Sequence, residues 1–65
     1  MCMIMSEWTI GKYVALELDQ DLPLRRYHKY RIDGVDYDPV PVYDLPRYIA
    51  IEAQNGFKGK TVEFI

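Results

Sequence analysis

Arg25, Arg26, Lys29 and Arg31 fall within one seven-residue run, interleaved with Tyr27, His28 and Tyr30. Cations beside aromatic rings can bind single-stranded nucleic acid: guanidinium and ammonium groups neutralise phosphates, and a ring stacks on a base for about 1–3 kcal/mol. The same run turns at Asp33-Gly34 and returns as an acidic, proline-bearing stretch with Asp36, Asp38, Pro39 and Pro41. An opposed reading therefore stands beside the first. In a hairpin, the basic arm meets the acidic arm and neutralises it.

Other groups capable of chemistry are few. Cys2 is the only cysteine, so no intrachain disulfide forms, and His28 is the only histidine, so a Cys/His zinc site lacks its usual four ligands. A nucleophile would have to be Cys2 or Ser6, both near the terminus and without a paired base. Asp33, Asp36 and Asp38 lack the order of a calcium loop, in which acidic ligands alternate ahead of the glycine and a glutamate closes at the twelfth position. Gly56-Phe57-Lys58-Gly59-Lys60 resembles a phosphate loop only superficially and reads as hairpin-loop chemistry. These residues call for no cofactor, no metal and no catalysis.

The elements that hold these residues read as strands. Tyr13 to Leu18 alternates, with Val14, Leu16 and Leu18 on one face, and Gly11 marks a turn or bulge before it. Asp19 to Leu24 is a loop. Asp33-Gly34 between β-prone runs predicts a two-residue hairpin, because both positions of that turn need a positive φ that Asp and Gly tolerate. The register then sets Ile32 opposite Val35, Arg31 opposite Asp36, Tyr30 opposite Tyr37 and Lys29 opposite Asp38. Parity turns His28, Tyr30, Ile32, Val35 and Tyr37 inward. Pro39 lacks an amide N–H, so the ladder stops near it, leaving Val40 to Val42 as extended edge. Tyr48 to Glu52 alternates and is read as a strand, with a short helix over 45–55, capped by Asp44 and ended at Asn55-Gly56, as the alternative. Thr61 to Ile65 alternates again with Val62 and Phe64 inward.

The sum is an all-β domain of about five short strands, in a bent sheet or a small SH3-like or OB-like barrel; the alternative is α+β. It carries neither the acidic-aromatic signature of peptide-binding SH3 domains nor the RNP1 pattern of RNA-recognition domains. Residues 1–5 read as a disordered extension, with Met5 a second candidate start, and 6–65 as one small domain. No run approaches the roughly 20 apolar residues of a membrane span, and the start lacks the basic region of a secretion signal, which gives a cytoplasmic address by default.

At 65 residues the chain hides only about 60% of its unfolded surface, which leaves good packing or self-association as its source of stability. A net charge of −2 opposes phosphate binding, and six tyrosines with one tryptophan exceed what so small a core encloses. The expectation is a small non-catalytic interaction module, protein-binding or self-associating, with Arg25, Arg26, Tyr27 and Trp8 as the contact residues. Single-strand nucleic-acid binding through residues 25–31 is the alternative.

Overall fold

The computed structural model describes residues 2–40, 46–54 and 56–65, and every element among them is a strand. They are β1 (Cys2–Ile10), β2 (Tyr13–Leu18), β3 (Tyr30–Ile32), β4 (Val35–Tyr37), β5 (Tyr48–Glu52) and β6 (Thr61–Phe64). All pairings are antiparallel, in one open sheet of order β4-β3-β6-β1-β2-β5. The chain is therefore all-β, with six strands rather than five, in a bent sheet that does not close into a barrel. Among the described residues no helix is long and apolar enough to cross a membrane.

The extra strand comes from the chain start. Residues 2–5, expected as a disordered extension, are the first part of β1. Cys2 pairs with Val62 and Met3 with Thr61 on β6, while Ile4 pairs with Leu18 on β2. Cys2 and Ile4 are buried among the core residues. The reason is composition: the segment supplies two inward apolar side chains that no other part of the chain replaces. Pairing then shifts between Ile4 and Ser6, a β-bulge, and β1 continues beside β2 to a tight turn at Gly11 and Lys12. Gly11 takes φ 61° there, a conformation that glycine adopts without steric cost.

The core sits on the inner face. Ile32, Val62 and Cys2 make one row; Tyr37, Tyr30 and Phe64 make another. Val14 with Ile51, Leu16 with Ile49, and Leu18 with Ile4 complete it from the other half of the sheet. Phe57, from the loop before β6, is buried against this cluster and meets Tyr37 edge-on at 5.6 Å.

The Asp33-Gly34 hairpin has the expected register, with φ of 55° and 79° at the turn. Arg31 grips Asp36 with two hydrogen bonds of 2.7 and 3.2 Å, and Lys29 donates to Asp38. Two inward assignments fail. Val35 is half exposed, because β4 is an end strand of the sheet. His28 is exposed: β3 begins only at Tyr30, and the amides of His28 and Lys29 both donate to the Ile65 carbonyl instead of extending the ladder. After Pro39 the amide of Val40 donates to Ala50 on β5 at 3.1 Å, so the segment leaving one end strand touches the other. Tyr48–Glu52 is a strand, as read, and not the helical alternative. Pro41, Val42, Asp44, Leu45 and Asn55 lie outside the described residues.

A chain begun at Met5 loses Cys2, Ile4 and the β1–β6 pairing, and should show no cooperative thermal transition by circular dichroism. The gentler Ile4→Ala substitution should lower the unfolding free energy by about 2–5 kcal/mol in urea titrations. A Met5-initiated chain that melts as sharply as the full one would refute the role given to these residues.

Candidate interaction surface

The bulge in β1 also decides what the protein shows to solvent. Before it, even-numbered residues point inward; after it, odd-numbered ones do. Trp8 pairs with Ala15 and Ile10 with Tyr13, opposite in phase to the core residues Val14 and Leu16. The outward residues along β1 are therefore Ser6 and four exposed apolar side chains, Met3 (43% exposed), Met5 (49%), Trp8 (46%) and Ile10 (46%). Without a bulge one phase would have carried part of this set into the core.

Neighbouring strands do not share this character. Outward positions on β6 are Thr61 and Glu63, on β3 Arg31, and on β4 Asp36. On β2 and β5 the outward rows are Glu17 with Tyr48, Ala15 with Ala50, and Tyr13 with Glu52. Two alanines there leave room for rings. Trp8 reaches across β2 to stack on Tyr48 of β5, with centroids 5.9 Å apart and planes inclined by 29°. Ala15 and Ala50 are buried in the same row as Trp8. The Tyr48 hydroxyl donates to Glu17 at 3.1 Å, which fixes the ring that supports Trp8.

The expected contact residues divide between two places. Trp8 stands on the outer face. Tyr27 lies in the β2–β3 loop, packed 5.1 Å from Phe64 and 5.6 Å from Tyr30, so it covers the core instead of standing free. Arg25, another expected contact residue, donates to the carbonyls of Arg26 and Phe64 and so anchors that loop to β6. With Lys29 and Arg31 paired to carboxylates, only the Arg26 side chain of the basic run has no hydrogen bond or ion pair among the described residues. A groove of about 420 Å³ beside Tyr27 is lined by Leu22, Tyr27, Tyr30, Val40, Tyr48 and Ala50. Sequence reasoning found Trp8 but missed Met3, Met5, Ile10 and Tyr48. The signal available was the surplus of tyrosines over core capacity; the bulge itself left no mark.

The thiol of Cys2 is pushed above its ordinary range by burial first and by Asp19 second, which keeps it protonated and poorly nucleophilic. Asp36 is held below the usual carboxylate range by its hydrogen bond from Arg31. The chain matches no family model, and no curated protein or solved structure matches it.

One carboxylate ties β1 to the loop before β6. Glu7 pairs with Leu16 and so points inward, where its oxygens accept the amides of Gly56 (2.9 Å), Phe57 (3.1 Å) and Lys58 (3.5 Å). Successive amides converging on one anion form a nest, and here the anion is the chain's own. These bonds, the one from Phe57 foremost, lower the Glu7 pKa. Because the folded value lies below the unfolded one, Glu7 stabilises the fold above its unfolded pKa, and that stability is lost as pH falls through the folded value. The urea midpoint of the wild type should therefore exceed that of Glu7→Gln at neutral pH, and the gap should close between about pH 5 and pH 3. A gap independent of pH would disprove the charge-based account.

Proposed function

We propose that this chain is a non-catalytic protein-interaction module whose contact surface is the outward side of β1, centred on Trp8. The observation that carries this reading is the exposed set Met3, Met5, Trp8 and Ile10 on β1, between Thr61 and Glu63 on β6 and Tyr13, Ala15 and Glu17 on β2. Contiguous exposed apolar side chains on a small domain mark contact sites, and methionine and tryptophan are enriched at interface cores. Trp8 is also held in place by Tyr48 before any partner arrives, which reduces the ordering cost of binding. The basic run gives less support to nucleic-acid binding, since three of its four cations and Tyr27 are engaged within the chain.

Replacing Trp8 by Ala should weaken association with the partner by at least about 2 kcal/mol, the loss expected at an aromatic hot spot, while Arg26→Ala leaves it unchanged. Equilibrium binding or concentration-dependent mass reads the effect, and circular dichroism confirms that the variant folds. Tight, salt-sensitive binding to mixed oligonucleotides that Arg26→Ala reduces and Trp8→Ala spares would defeat the proposal.

A further inference from the structure

We infer that the occupant of this surface is a second copy of the same chain, packed face to face with its β1 antiparallel to the first. This rests on the reading of the outer side of β1 as the contact surface. The order of residues on the strand is self-complementary under a two-fold axis that lies in the interface plane and crosses β1 at right angles. Met3 of one copy then meets Ile10 of the other, and Met5 meets Trp8. The second contact sets a flexible thioether against an indole, a favourable pairing, and methionine adapts its shape to the ring it meets.

Charge selects the antiparallel arrangement. Asp19 marks the Met3 end of the surface: its carboxylate accepts the Met3 amide at 2.8 Å and its own amide donates to the Met3 carbonyl at 2.9 Å. Lys12 marks the Ile10 end, in the β1–β2 turn, with its ammonium 5.4 Å from the ring of Tyr13, the residue that pairs with Ile10. Antiparallel packing brings each Lys12 to the partner's Asp19. The same operation sets Glu52, in the Ile10 row, toward the end of β5 where Arg47 lies beside Asp21. A parallel arrangement would instead oppose Lys12 to Lys12 and Asp19 to Asp19.

Light scattering over a concentration series tests the idea, together with a charge exchange. The wild type should approach twice its 7.7 kDa mass, and Trp8→Glu should remain monomeric. Lys12→Glu and Asp19→Lys should each weaken the dimer about tenfold or more, because like charges then meet at both ends. An equimolar mixture of the two, or the double variant alone, should regain wild-type association, since every cross-subunit pair is again opposite in sign. A wild type that stays monomeric at the highest concentration overturns the dimer; the module reading then stands or falls separately, on whether Trp8→Ala weakens capture of a different protein. A dimer unaffected by Trp8→Glu places the interface elsewhere. Failure of both the mixture and the double variant to recover overturns the antiparallel geometry.

Discussion

The whole sheet depends on β1 being shared. Its first residues pair with β6 on one side and β2 on the other, and among the described residues no other strand joins β4-β3-β6 to β2-β5. The bulge between Ile4 and Ser6 lets one strand serve both halves as the sheet bends. Before it, Cys2 and Ile4 fill the space between Val62 and Leu18. After it, Glu7 turns inward and ties the strand to the loop that carries Phe57 into the core. A bulge increases local twist, and Val40, just past one end strand, lies within a hydrogen bond of Ala50 on the other. A single displaced residue therefore sets the phase of the surface of β1.

Much of the rest was legible in the chain. The Asp33-Gly34 turn and the alternation of Tyr13 to Leu18 left little freedom, because turn chemistry and hydrophobic period agreed. Tyr48 to Glu52 was readable from its alternation alone, against flanking residues that also fit a capped helix. Met3 and Met5 were not. In Cys2-Met3-Ile4-Met5 every side chain is apolar, so inward and outward positions look alike and no period shows. His28 and Val35 failed differently. Parity is a statement about a continuing ladder, and the ladder ends before His28, while β4 is too close to the sheet's margin for Val35 to be covered.

The charged residues that first invited a functional reading are mostly part of the scaffold. Lys29 and Arg31 hold the hairpin, Arg47 holds Asp21, and Lys60 reaches Asp33 at the hairpin turn. Exposed pairs of this kind contribute little each, about 0–1 kcal/mol. Their larger effect is to leave few cations available for phosphate. Tyr27 and Arg25 likewise close the β2–β3 loop over Tyr30 and Phe64. Without that cover an eleven-residue connection would leave one end of the core open to water.

The outward side of β1 is different in kind, because the fold of one chain does not require it. Inward positions are constrained by the core, and polar residues there would cost several kcal/mol. Outward positions on β3, β4 and β6 are occupied by Arg31, Asp36, Thr61 and Glu63, and the sheet forms equally well around them. Nothing in the backbone pairing of β1 asks for Met3, Met5, Trp8 or Ile10 at the matching sites. Ala15 and Ala50 gain cover from Trp8, which accounts for one of the four. The other three leave apolar area in water that a domain of this size can poorly afford to waste, and burying it against another surface is the state in which their chemistry becomes favourable.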